Sequence, residues 1–553
     1  MQNAKLTNLL LWALAAIILI WGIGHVPLTD VDEGAFAEAS REMLSRGDFI
    51  SPWLLDAPRF DKPALIHWLQ IASMQVFGIN AFGARLPSAL AGLLWLFVVA
   101  QWSKDIAARV GVSGNARYFG LLIAMTSIAV PAISRVATAD ALLNGLLAVS
   151  LYFLWRALLA DDDASLKKYG RLTAIFIALG LLTKGPIAVL VPAAASFLTV
   201  LVVPSRFKNW RKVAFDPIAW ALVIAIALPW YVLQYEAQGM AFIQGFFGKH
   251  NLGRYTGTML GFSGGFWYYP AWMLVSLLPW IPLLFRTLAE LLFKRSSPLH
   301  QPVATLLWVL PLFVLVFFSF SATKLPHYGF YGLTGLFVLM ALTLAIKSSS
   351  TEVTKPTLLL VDRLWISLLL TVFVCTHLWA GKLASLTAEP YYRLVLENAG
   401  AMLVQHADWS VGIAALGIAL LLLPQDLIKR IAGLQTIPSN AWRLGAGAVS
   451  FAICLHLIFV PTVIAALRTP ILNAALEVRA VQTPVVSWQL AAPSLSFSAQ
   501  RVIPSQEPKP GDTVVMFEKH HQQLMELLAT KYAGVNAKQL WYEGGVEIVK
   551  VSE

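Results

Sequence analysis

Charge and cysteine are both scarce in this chain. Only 13% of its 553 residues are Asp, Glu, Lys or Arg, against roughly 25% in soluble domains. With 58% hydrophobic residues and a mean hydropathy of +0.68, that shortage excludes an ordinary water-soluble globule. The two cysteines, Cys375 and Cys454, lie in or beside apolar runs without CxxC spacing, which excludes a disulfide framework. Neither His520-His521 nor the separate His327, His377 and His456 has a zinc-ligand spacing. The absence of a P-loop, a dinucleotide fingerprint and a GxSxG elbow argues against an ATP-driven pump and a serine hydrolase. A formal charge of +11 reflects in part the basic loops of a membrane protein and gives no reason to expect nucleic acid as a partner.

What the chain has instead is long apolar runs, among them Leu9–Gly24, Leu86–Trp102, Ala141–Ala160, Ile218–Tyr235 and Val303–Phe320. A helix needs roughly 20 such residues to cross the hydrocarbon core, and the runs suggest about thirteen crossings. The first run lacks a small-residue cleavage site before Asp32 and reads as a retained span, with a cleaved signal peptide as the alternative. Basic residues cluster in Lys104–Arg117, Lys167–Arg171 and Arg206–Lys212, which the positive-inside rule places in the cytoplasm. An odd number of spans then puts the chain end outside. The expected organisation is a mainly α, polytopic membrane domain over 1–467, with external loops at about 25–85 and 236–265, followed by a small external α/β domain over 468–553. In that tail Val514–Phe517 and Val546–Val549 read as strands and Gln522–Tyr532 as a helix.

The polar residues of interest gather at the external ends of the runs. Asp32 and Glu33 follow the first span, and carboxylates beside a bilayer are costly enough to suggest function, although acidic residues also suit a helix N-terminus. Asp140, at the external start of another span, is either a helix cap or a further catalytic carboxylate. Lys62, Arg85, Arg135, Lys184, Lys249, Arg254 and Lys324 stand on the side the orientation rule leaves poor in cations, with Arg59 in the charged patch Arg59-Phe60-Asp61-Lys62-Pro63 and His250 and Tyr328 nearby in sequence. Their anionic partner is either phospholipid headgroups or a lipid-linked phosphate, which Arg grips bidentately and Lys as a point charge. The spacing leaves a divalent metal unassigned: His250 with Asp32 or Glu33 would suit one only if the fold brought them together. Ala35–Leu44 and Ala64–Phe77 read as helices on the membrane surface, and Gly257–Gly265 as a mobile segment.

Several of these pieces occur together as Asp32-Glu33, Ala37-Glu38-Ala39-Ser40-Arg41-Glu42-Met43-Leu44, Phe60-Asp61-Lys62-Pro63, Phe82-Gly83-Ala84-Arg85, Thr183-Lys184-Gly185, Phe266-Trp267-Tyr268-Tyr269 and Lys324-Leu325-Pro326-His327-Tyr328. In that order they resemble the GT-C superfamily of membrane glycosyltransferases that use polyprenyl-phosphate sugars. Within it the likeness is greatest to the lipid A 4-amino-4-deoxy-L-arabinose transferases, related to the protein O-mannosyltransferases. Gly34-Ala35 departs from the Thr-Arg of that group, and Asp61 from its Glu. The resemblance implies a bacterial inner-membrane enzyme, expected as a monomer, with its site and C-terminus in the periplasm. It would move aminoarabinose from undecaprenyl phosphate to lipid A phosphates and so protect against cationic peptides. Asp32, Glu33 and Asp140 would be catalytic, and Arg59, Lys62, Arg85, Lys184, His250, Arg254, Lys324 and Tyr328 would hold substrate or phosphate. No cofactor is required by this scheme. The alternatives are another polyprenyl-phosphate-sugar transferase or a lipid transporter, which would set its charges near the bilayer midplane and show internal repeats.

Overall fold

The first apolar run forms helix α1 (Gln2–Ile20), and the chain then leaves the bundle for a 60-residue excursion before helix α4 (Ala81–Arg109). The computed structural model describes residues 2–112, 114–257, 263–349, 359–422, 439–532 and 534–552. Within the excursion lie helices α2 (Asp32–Arg46) and α3 (Leu65–Phe77), joined through a tiny hairpin of β1 (Trp53–Leu54) and β2 (Ala57–Pro58). The main bundle continues with α5 (Ala116–Thr126), α6 (Ala129–Ser134), α7 (Asp140–Leu158), α8 (Asp163–Lys184) and α9 (Ile187–Val202). Later helices include Pro217–Ile243, Thr305–Ser319, Leu333–Ser349 and Val460–Val478. The core is aromatic and aliphatic throughout: Trp95, Trp102, Phe119 and Phe337 are all fully enclosed. Among the few polar bonds inside it, Trp95 Nε1 donates to Thr334 Oγ1 at 2.8 Å.

By length and apolarity six helices among the described residues are able to cross a membrane, or nine when each bent pair counts as one. That is fewer than the apolar runs suggest, because several runs are short or broken. The helices Tyr268–Ser276 and Ile281–Phe293 meet at 118°, where Pro279 can supply no backbone donor.

The tail forms a four-stranded sheet of β3 (Val485–Ser487), β4 (Thr513–Phe517), β5 (Ala537–Glu543) and β6 (Val546–Val551), in the order β3-β4-β6-β5. Only the β3/β4 pair is parallel. Alternation along the strands gives two apolar faces. Val514, Met516 and Val549 meet Leu524 and Leu528 of the helix His521–Lys531. Val515 and Ile548 meet Leu495 and the last turns of Val460–Val478. That helix runs straight through the position 467–468 at which the sequence suggests a boundary, so the sheet is built onto the end of a bundle helix.

Candidate functional site

The excursion is ordered by buried polar residues rather than by an apolar stripe. Helix α2 is polar in composition, yet Glu33 to Met43 are all buried. Glu42 accepts from the amides of Leu55 and Asp56 at 2.6 and 3.2 Å, and so holds the two positive-φ residues of the β1/β2 turn. Ser40 Oγ lies 2.8 Å from His67 Nδ1 and 2.6 Å from Gln70 Oε1. Gln70 Nε2 in turn donates to Ala84 O and Ala137 O, which ties α3 to α4 and to the segment before Asp140.

Glu33 is the hub of this arrangement. Arg85 Nε and Nη2 donate to its two oxygens at 2.6 and 2.9 Å, the amide and hydroxyl of Thr29 donate at 2.7 and 2.8 Å, and the Ala137 amide donates at 2.8 Å. Burial is the strongest single influence and would raise this carboxyl, but the Arg85 guanidinium together with the Thr29 and Ala137 amides holds it below the usual carboxylate range. Arg85 spends its remaining donors on Ile23 O, Val26 O and Pro27 O. Glu33 was expected to be catalytic and Arg85 to hold phosphate. In the fold the two bind each other, and their remaining bonds go to Thr29, Ala137 and the carbonyls at 23, 26 and 27. Asp32, one residue earlier, is exposed at the start of α2.

A second charged group surrounds a cavity of about 330 Å³. Asp61, Lys62, Lys184, His250 and Tyr328 line its polar side, and Ile187, Leu190, Leu252, Phe317 and Phe318 its apolar side. Asp61 is paired with Arg59 Nε at 2.6 Å and with Lys62 Nζ at 3.4 Å. Burial opposes its ionisation, yet Arg59, Lys62 and His250 together hold it far below the ordinary range. Arg59 itself is anchored by Ala35 O at 2.6 Å and lies over the Phe36 ring. Its guanidinium therefore supports Asp61 instead of opening toward the cavity.

Lys184 donates to Asp140 and stands 5.6 and 5.7 Å from the ring centres of Tyr328 and Tyr331. Its position depends on Gly185, whose φ of +76° closes α8. A Cβ there would come within 2.5 Å of the Phe246 ring. Asp140 is also reached by His327 Nε2 at 3.8 Å. Lys324 turns away, donating to Phe318 O and Ser319 O at 3.2 and 2.6 Å. The side chain of Arg254 and residues 258–262 of the glycine-rich segment lie outside the described residues.

The fold thus unites Lys62, Lys184, His250, Tyr328 and Asp140, pairs Arg59 with Asp61 and Arg85 with Glu33, and leaves Asp32 on the surface beside Glu33. His250 meets Asp61 rather than Glu33, and no group of three or more His, Cys, Asp or Glu in a metal-holding arrangement occurs among the described residues. The sequence singles out neither His327, which has no zinc-ligand spacing, nor Asp61, which stands within the Phe60-Asp61-Lys62-Pro63 run. The Arg59-Phe60-Asp61-Lys62 run carried the signal for Asp61: an acid between two bases is a candidate to orient both.

Residues 61–233 match the family model described as dolichyl-phosphate-mannose-protein mannosyltransferase. That stretch contains Asp61, Lys62, Arg85, Asp140 and Lys184. Over 333 residues the chain is 29% identical to the undecaprenyl phosphate-alpha-4-amino-4-deoxy-L-arabinose arabinosyl transferase of Enterobacter sp., a match covering 59% of this chain and 57% of that relative. It is 30% identical over 329 residues to the protein of the same description in Pseudomonas paraeruginosa, covering 57% of this chain and 56% of the relative. The matched stretch therefore takes in little more than half of each relative's length. The whole fold is similar to the crystal structure of ArnT from Cupriavidus metallidurans bound to undecaprenyl phosphate, with a TM-score of 0.78 and 18% identity over 98% of this chain and 97% of that one. The apo state of the same protein gives 0.76. The chain resembles the aminoarabinose transferases in sequence, and its fold is that of ArnT.

Proposed function

We propose that this protein is a membrane glycosyltransferase that moves 4-amino-4-deoxy-L-arabinose from undecaprenyl phosphate to a lipid A phosphate, at the periplasmic face of a bacterial inner membrane. The observation that carries the reading is the cavity itself, in which two lysines and a histidine face a wall of Ile187, Leu190, Leu252 and Phe317. A phosphate attached to a long isoprenoid needs both halves of such a site. Lys62 and Lys184 hold the donor phosphate, and the apolar wall receives the first isoprene units. As the glycosidic C–O bond breaks, its electron pair leaves with undecaprenyl phosphate, and an acceptor phosphate oxygen forms the new bond to the sugar.

The acceptor phosphate is already ionised at neutral pH, so the reaction needs no general base. Asp32 then stabilises positive charge developing on the sugar or binds its ammonium group. Asp140 keeps Lys184 charged and aimed, while Glu33 fixes the start of α2 and the amide three residues before Asp140. The match of residues 61–233 to the mannosyltransferase model favours a second reading, in which the acceptor is a hydroxyl and Asp32 removes its proton.

The test is expression in a strain that makes the lipid-linked sugar but lacks its own transferase, followed by mass spectrometry of lipid A. An aminoarabinose increment that disappears in Asp32→Asn supports the proposal. Unmodified lipid A, with the protein folded in the membrane, would overturn it in favour of another acceptor or sugar.

A further inference from the structure

A second, smaller cavity of about 60 Å³ also touches Arg85 but shares no wall residue with the charged cavity above. Arg135 and His456 face it. Arg85 is neutralised there by Glu33. Arg135, by contrast, gives one N–H to Ile18 O at 2.7 Å and pairs with no carboxylate among the described residues. His456 is 4% exposed, and its Nε2 has no hydrogen-bond partner among the described residues. A partly buried guanidinium without a counter-charge and a buried imidazole nitrogen without a hydrogen bond are costly, and an anion placed between them would relieve both.

The cavity adjoins a larger one of about 430 Å³, with Val26 and Pro461 in both walls. Trp21, Trp409, Ile413 and Leu457 make the larger space apolar. Trp21 and Trp409 are 68% and 73% exposed, the setting in which indoles sit at the level of lipid headgroups.

We infer that the two adjoining cavities form a lipid site distinct from the donor cavity, taking an anionic glycerophospholipid. Its phosphodiester lies between Arg135 and His456, and its acyl chains run along Trp21, Trp409, Ile413 and Leu457. Charge selects the headgroup: one uncompensated cation matches the single negative charge of a phosphodiester, whereas the donor cavity offers two lysines. The site also adjoins the machinery. Arg135 and Val136 lead directly to Ala137, whose amide is bound to Glu33. A lipid seated there braces the segment that delivers Asp140.

The experiment is native mass spectrometry of the delipidated, full-length protein, offered phosphatidylglycerol, phosphatidylcholine or undecaprenyl phosphate in separate arms, and phosphatidylglycerol together with undecaprenyl phosphate in a competition arm. Wild type should retain one phosphatidylglycerol and little phosphatidylcholine. Arg135→Gln should lower that retention about tenfold, the effect of losing one charge-assisted contact. Ala465→Trp, which fills the larger cavity and leaves Arg135 in place, should do the same and decides the matter if Arg135→Gln fails to fold. Lys184→Gln should leave phosphatidylglycerol retention unchanged. Equal retention by wild type and both cavity variants would overturn the inference. So would equal retention of the two phospholipids, or one-for-one displacement of phosphatidylglycerol by undecaprenyl phosphate, which would make the groove part of the donor site.

Discussion

Asp32 and Glu33 are neighbours in sequence with opposite fates. Successive residues on a helix point about 100° apart, so one faces solvent at the start of α2 while the other enters the bundle to meet Arg85. The sequence advertises the acidic pair but cannot divide the labour within it. The division has a measurable signature. Glu33→Gln leaves the Arg85 guanidinium buried beside a neutral amide and should cost about 3–5 kcal/mol, seen as a lower Tm in detergent. Arg85→Lys should not restore stability, because an ammonium cannot span the carboxylate and three carbonyl oxygens that the guanidinium reaches. Asp32→Asn should instead keep the wild-type Tm and lose transfer. If both variants lost stability alike, Asp32 would be structural too.

At the scale of elements, α2 and α3 were legible in the sequence as surface helices at Ala35–Leu44 and Ala64–Phe77, and they form over Asp32–Arg46 and Leu65–Phe77. What joins them was not legible. Periodicity assigns polar residues to the solvent side, whereas Ser40, His67 and Gln70 face inward and satisfy one another. This buried junction gives the pair a dependence on acid. Burial, reinforced by the positive charge of Arg59, pushes the His67 imidazole down to about 3 from an ordinary 6.5. In the folded protein His67 stays neutral, while in the unfolded chain it gains a proton below 6.5. Stability from this group is therefore complete above that pH and declines as the pH falls toward the folded value, by about 2 kcal/mol between pH 7 and pH 5. Thermal melts of wild type and His67→Asn across that interval should show a shallower acid loss for the variant. Parallel curves would remove His67 as the source.

For the whole molecule, the informative contact lies between the first loop and the far end of the chain. Asp30 accepts from the Ser494 amide at 2.9 Å and from its hydroxyl, and Arg468 Nη1 stands 3.5 Å from the same carboxylate. The tail is thereby fastened two residues before Asp32. Gly34 makes the approach achievable, since a Cβ there would lie 2.3 Å from Asp30 Oδ1 and 2.6 Å from the Ser494 amide. The aminoarabinose transferases were expected to carry Thr at this position, and the glycine gains its meaning only once the tail is docked. Gly34→Thr should therefore loosen the tail and reduce transfer. Limited proteolysis between residues 478 and 493 should accelerate in that variant, and an unchanged cleavage rate would show that the junction tolerates the side chain. Two of the four strands, at Val514–Phe517 and Val546–Val549, were readable from their alternation, but the docking of the helix Pro493–Ala499 on α2 was not, because no local pattern encodes a partner so distant. That distance sets an order of assembly. Asp30 and Ser494 are separated by 464 positions, so the loop bearing Asp32 emerges from the ribosome long before its last partner exists. A nascent or prematurely terminated chain carries the acidic pair without its anchor, and the fastening that steadies the start of α2 arrives only as synthesis nears its end.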